Sequence, residues 1–219
     1  MQLENFIIND IKPVDLTETV GELQQSFNQL TYSHIPVQQD GVYLGCISET
    51  DAHCFDANES INELRYAAEG FFVKSTTNWL DVLEAFAQNN TNIMPVLDVS
   101  DNRYLGYYEL NDFIHLFHET PFLSEPGGIV IIEKGIKDYS FSEIAQIVES
   151  NNAKLFGAFI SKIDSDLVQI TLKIGDSGIN DILQTFRRYS YEIVAGHEQD
   201  DYIESLRDRS KYLDKYLNI

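Results

Sequence analysis

Two cysteines, two methionines, one tryptophan and five prolines are spread over 219 residues, and 15 Lys and Arg face 35 Asp and Glu. Each shortage excludes something. Cys46 and Cys54 alone build no disulfide framework of the kind that holds small secreted domains together, and they point to a reducing compartment. A formal charge of −20 lacks the clustered cations that nucleic acid and anionic membrane surfaces require. Nowhere is there an apolar run of roughly 18 residues, the length that spans a bilayer. The opening Met-Gln-Leu-Glu-Asn-Phe-Ile-Ile-Asn-Asp holds no basic stretch leading into an apolar one. A cytoplasmic chain with neither nucleic-acid nor membrane partners is the expectation.

The charge is unevenly placed. Residues 1–120 carry 19 acidic and 4 basic side chains, net −15, whereas residues 121–219 carry 16 and 11, net −5. The turn-forming stretch Pro121-Phe-Leu-Ser-Glu-Pro-Gly-Gly128 lies at the break, so a linker over 121–127 is expected between two domains.

The first of these is a duplication. Gly45-Cys-Ile-Ser-Glu-Thr-Asp51 is echoed by Gly106-Tyr-Tyr-Glu-Leu-Asn-Asp112, after His34-Ile-Pro-Val37 and Ile93-Met-Pro-Val96 respectively. Pro36 and Val37 recur 59 residues later, as do the apolar positions Val20, Leu23 and Phe27, as Trp79, Val82 and Phe86, while Leu44, Gly45 and Asp51 recur 61 later. A register that changes only at a turn marks two copies, about 1–58 and 59–120. In each, a Thr (Thr17 or Thr19, then Thr76 or Thr77) precedes an amphipathic helix, with Thr and Asn suited to cap it. Short buried strands follow at Ile35–Val37 and Met94–Leu97, then Tyr43–Ile47 and Tyr104–Tyr108, and the closing Asp starts a short helix. Glu59–Gly70 is expected to be helical.

The second half reads differently: strand Gly128–Glu133, helix Ser140–Asn151, strands Lys154–Lys162 and Leu167–Ile174, helix Gly178–Tyr189 and strand Tyr191–Val194. This βαββαβ order over 128–196 is the ferredoxin-like plan, and the chain as a whole is α+β. The tail 197–219 reads as a helix with Ile203, Leu206, Leu213 and Leu217 on one stripe.

The Pro-Val strand followed by Gly-hydrophobic-hydrophobic-Ser-x-x-Asp resembles a tandem pair of CBS domains, modules that sense adenosine-containing ligands. The second half resembles an ACT domain, a regulatory module, and the combination resembles the architecture of acetoin-utilisation accessory proteins. The resemblance implies a non-catalytic regulator that forms a homodimer and requires no cofactor, with AMP, adenosine or S-adenosylmethionine as bound ligand and an unidentified protein partner downstream. It assigns ligand contacts to Ser48 and Asp51, with the strand at Ile35 offering adenine a backbone edge, His34 lining the first cleft and Asp112 holding a ribose in the second. A carboxylate accepts from both hydroxyls of a cis-diol, and a hydroxyl with helix-start N–H groups receives phosphate. Glu109 stands where Ser48 does in the first copy and would repel a phosphate there.

The same residues admit a plainer role. Gly45 and Gly106 serve tight packing, Asp51 and Asp112 cap helices, and His34 packs at a strand edge. On that reading the chain is a ligand-free interaction scaffold. His115 and His118, three residues apart, with His53 and Cys54, lack a fixed third metal ligand. No nucleophile elbow, phosphate-binding loop or dinucleotide-binding glycine motif is present, so no enzyme is expected.

Overall fold

In the computed structural model, residues 3–196 are described, and the chain forms two compact units divided between Phe117 and His118. The helix expected over 197–219 lies outside the described residues. In the first copy, β1 (Val14–Asp15), α1 (Val20–Gln29), β2 (His34–Gln39), β3 (Val42–Ser48) and α2 (Glu49–Ala52) follow one another. A stretch of tight helix, Ile61–Ala67, leads to the second copy: β4 (Val73–Lys74), α3 (Trp79–Gln88), β5 (Ile93–Leu97), β6 (Tyr104–Glu109) and α4 (Leu110–His118). Each copy is a three-stranded sheet, its short first strand parallel to the middle one and its last antiparallel.

Helix starts obey the 59-residue register. Thr19 accepts from the Glu22 N–H (3.3 Å) while the Glu22 carboxylate accepts from the Thr19 N–H (2.9 Å), a reciprocal cap that opens α1. Its equivalent is Asn78, not Thr76 or Thr77, and Asn78 accepts from the N–H groups of Leu80 and Asp81 at the start of α3. Val20, Leu23 and Phe27 then bury one face of α1, as Val82 and Phe86 do on α3. Over 59–70 the structure holds a 3₁₀ helix, Ile61–Ala67, rather than an α-helix. Its first N–H groups are taken by Glu18 and Leu16 carbonyls, and Ile61 and Leu64 are buried three residues apart, the period of the tighter helix.

The copies complete each other. Glu69, ahead of β4, exchanges two 2.8 Å backbone hydrogen bonds with Cys46 on β3; Ile8, ahead of β1, exchanges two of 2.9 Å with Tyr107 on β6. Equivalent residues also meet: Ser33 with Asn92, and Tyr43 stacked on Tyr104 at 6.2 Å and 14°. A residue that touches its own equivalent lies beside a local two-fold axis, so these contacts mark two points along it.

The second unit holds α5 (Pro121–Ser124), β7 (Gly127–Gly135), α6 (Phe141–Ser150), β8 (Leu155–Asp164), β9 (Leu167–Gly175), α7 (Ile179–Arg188) and β10 (Glu192–Ala195). Within 121–127, read as a linker, α5 makes one helical turn. The sheet order is β10-β7-β9-β8 with every neighbour antiparallel. Val130, Ile132, Val168, Ile170 and Leu172 alternate onto the face covered by Ile144, Val148, Ile182 and Phe186 of the helices.

Candidate functional site

The Gly-to-Asp segment of each copy is the end of an outer strand and the start of the helix after it. The crossing strands explain the glycines. Gly45 has φ +156° and a Cβ there would lie 2.7 Å from the Glu69 carbonyl oxygen; Gly106 has φ +148° and a Cβ would press on the Ile8 carbonyl. Only glycine allows that approach in that conformation.

In the first copy Ser48 caps α2. Its Oγ accepts from the Asp51 N–H (3.0 Å) and donates to Asp51 Oδ2 (2.7 Å). Both residues are half-buried, so carboxylate and hydroxyl hold each other at the mouth of the motif. His34 pairs with Ser48 across the strands. Its ring is 6 % exposed, lies edge-on to Phe71 at 5.3 Å, and has Nε2 3.5 Å from Glu69 Oε1 and Nδ1 2.9 Å from Ser33 Oγ. Burial holds its pKa below the ordinary histidine value; Glu69, and more weakly Asp51, pull the other way.

Ile35 is 1 % exposed, with its side chain in the core of the first copy. Because the Cys46 N–H and C=O are both spent on Glu69, the Pro36–Cys46 pair is not hydrogen-bonded. By alternation, Ile35 therefore turns its own N–H and C=O to Ile47. The outward backbone groups at this end of β2 are those of His34, and β1 reaches only Val37 and Gln38.

The second copy carries different chemistry on the same backbone. Tyr32, from the first copy, donates to Glu109; Tyr107 donates to Asp10 at 2.5 Å; the two phenol oxygens lie 3.0 Å apart. Two phenols own two protons, and both are given to carboxylates. The contact between the phenols carries no proton while Asp10 and Glu109 are ionised. Burial, then the neighbouring carboxylates, push both phenol pKa values up. Asp112 is half-buried, and burial, then Glu109, raise its carboxyl pKa while His115 lowers it. At the first copy's motif the equivalents of Tyr32, Tyr107 and Glu109 are Thr91, contributed by the second copy, and Cys46 and Ser48. Thr91 turns its hydroxyl onto its own Ile93 carbonyl (2.8 Å). Cys46 is wholly buried, which pushes its thiol up to about 12. The first motif is therefore left without the phenol cluster that fills the second.

Tyr32, Asp10 and Glu69 did not emerge from the sequence. Ser33 and Asn92 share the 59-residue register, which is the signal that pairs them: Ser33 N–H donates to Asn92 Oδ1 (2.8 Å) and Asn92 N–H donates to Ser33 Oγ (3.1 Å). Grooves open among the described residues of this unit. One of about 500 Å³ is lined by Ser33, Leu83, Phe86, Thr91, Asn92 and Leu110 among others; one of about 590 Å³ is lined by Tyr43, Leu44, Phe72, Leu97 and Arg103 among others. Ser48, Asp51, His34, Ile35 and Asp112 line neither. Among the described residues no group of three or more His, Cys, Asp or Glu could hold a metal ion, and no helix is long and apolar enough to cross a membrane. His115 and His118 are both exposed.

No family model matches this chain, and no curated protein does. Solved structures similar to it are CBS domain pairs. A CBS domain pair/ACT domain protein from Thermotoga maritima is 23% identical, with 54% of this chain and 98% of that one covered and a TM-score of 0.49. The CBS domains of a transcriptional regulator from Streptococcus pneumoniae are 19% identical over 52% of this chain and 98% of theirs, TM-score 0.47. CBSX2 in complex with AMP is 16% identical over 53% and 95%, TM-score 0.43.

Proposed function

We propose that this chain is a non-catalytic regulator whose N-terminal unit, a CBS-type pair, senses an adenosine-containing ligand in the cleft of the first copy. The observation that carries the reading is the half-exposed Ser48–Asp51 pair beside His34, in the copy that lacks the phenol cluster. A ribose offers two hydroxyl donors to a carboxylate that has one intramolecular donor to exchange. Glu69 and Asp51 give this cleft negative character and no Lys or Arg belongs to its motif, so adenosine or a cationic adenosyl compound is favoured over AMP, and AMP over ATP. The second copy, closed by Tyr32, Tyr107 and Glu109, takes no ligand. The order β10-β7-β9-β8 supports a ferredoxin-like, ACT-type module for the C-terminal unit. Ligand acts by population shift, favouring the arrangement of the pair that it binds better.

A ligand-free scaffold is favoured by a different observation: Ser48 and Asp51 already satisfy each other, and neither groove reaches them. Calorimetry of ligand-stripped full chain with adenosine, AMP and S-adenosylmethionine separates the two. A saturable heat that Asp51→Ala abolishes supports the sensor; no heat with any of the three leaves the scaffold.

A further inference from the structure

The groove of about 590 Å³ lies at the Tyr43–Tyr104 end of the two-fold axis and shares no side chain with either Gly-to-Asp motif. We propose that it binds a small aromatic carboxylate, its ring against Tyr43 and Phe72 and its carboxylate on Arg103.

The wall is apolar and held in place. Tyr43 stacks on Tyr104 and donates to the Phe71 carbonyl at 2.7 Å, so its phenol is fixed by two neighbours. Phe72 meets Tyr43 edge-on at 6.3 Å and is 43 % exposed, which leaves ring surface open to a planar guest. Leu44 and Leu97 complete this side. Such a pairing of ring surface with one directing charge is the usual make-up of a small-molecule pocket, and the volume falls in the usual range.

The charge is unusual for this unit. Residues 1–120 hold four basic side chains, Lys12, Arg65, Lys74 and Arg103; Arg103 lines the groove and Lys74 stands against Phe72. Arg103 is exposed; its charge reaches Asp98, and among the described residues no carboxylate oxygen lies within 4 Å of its guanidinium. The turn's acids accept local hydrogen bonds, and Asp101 itself lines the groove beside Arg103. Asp101 accepts from the Arg103 backbone N–H at 3.0 Å, and Asp98 accepts from the Ser100 N–H and hydroxyl at 2.7 and 2.5 Å. Lys74 reaches the Asp98 carbonyl (3.0 Å) and the Asn102 side chain, with its ammonium 5.3 Å from the Phe72 ring centre. A guanidinium matches a carboxylate in a two-pronged pair. One such group, on a unit of net −15, suits a monoanion better than a phosphate dianion.

Titration calorimetry of the full chain with indole-3-acetate, and with indole as its uncharged counterpart, tests this assignment. Saturable binding of indole-3-acetate is expected, weakened about tenfold or more by Arg103→Gln and by Phe72→Ala. Both side chains are exposed, so the melting temperature of each variant is expected to stay at the wild-type value. Asp51→Ala is expected to bind indole-3-acetate as the wild type does, which keeps this groove's test separate from that of the adenosyl cleft. The proposal is overturned if the wild type shows no saturable binding below about 1 mM, if indole binds as tightly as its acetate, or if Arg103→Gln retains the affinity.

Discussion

Gly106→Ala is the sharpest test of how the two copies hold each other. A methyl group at this position would press on the Ile8 carbonyl and come within 2.7 Å of Ile7 Cγ2, with the backbone at φ +148°. Because the nearest atom is the backbone carbonyl of Ile8, relief requires the crossing segment to move, which breaks the two 2.9 Å hydrogen bonds between Ile8 and Tyr107. Two such bonds are worth about 2 kcal/mol, and a non-glycine residue held at positive φ costs about 1–3 kcal/mol more. A loss of about 3–5 kcal/mol lowers the melting temperature of a unit this size by roughly 12–20 °C. Gly70 is the control, having no neighbour within 4 Å of a built Cβ. Gly70→Ala is expected within about 1 kcal/mol of wild type. The assay is calorimetric melting of the full chain, with amide exchange at Ile8 and Tyr107 as a local readout. A Gly106→Ala protein within about 1 kcal/mol of wild type, or one no worse than Gly70→Ala, refutes the argument.

Two further outcomes follow from the site. His34 is held neutral by burial, so below its ordinary pKa of about 6.5 the unfolded chain takes up the proton more readily than the folded one. Stability is full above that pH and falls as the pH drops through it; the loss between pH 7.5 and 5.5 is expected to shrink in His34→Gln, and an unchanged loss would assign the effect elsewhere. Tyr32→Thr with Glu109→Ser gives the motif of the second copy the side chains that Thr91 and Ser48 supply at the motif of the first. Calorimetric stoichiometry with adenosine is expected to rise from one to two per chain, and a value fixed at one would show that the phenol cluster is not what closes the second cleft.

What the sequence made legible was local. Val20, Leu23 and Phe27 and their counterparts state a helical face, Gly45 and Gly106 a close approach, and the shift from 59 to 61 the turn between β5 and β6. The partners of those glycines were not legible, because a single pair of backbone bonds from Ile8 or Glu69 leaves no periodicity and spans 99 or 23 residues. Ile35 illustrates a finer limit. Its place in a buried strand was readable, but which way its N–H and C=O point depends on where Cys46 sends its own. Equally, Tyr32 reaches Glu109 across 77 residues, a contact that no spacing announces.

The two copies share a backbone and differ in chemistry, and the differences are coupled. Tyr107 at the position of Cys46 brings a buried phenol that needs an acceptor, which Asp10 supplies. Glu109 at the position of Ser48 brings a carboxylate that accepts a hydrogen bond from the Tyr32 hydroxyl. Change one member alone and a partly buried polar group loses its partner at a cost of about 1–3 kcal/mol. Tyr32→Phe and Glu109→Ala are therefore each destabilising, while the pair of changes together costs less than their sum. The closing of the second cleft is in this sense a single feature distributed over four residues. A first cleft drifting toward the same state would need the changes at Thr91, Cys46 and Ser48 together, which is a physical reason for the pair to remain unequal.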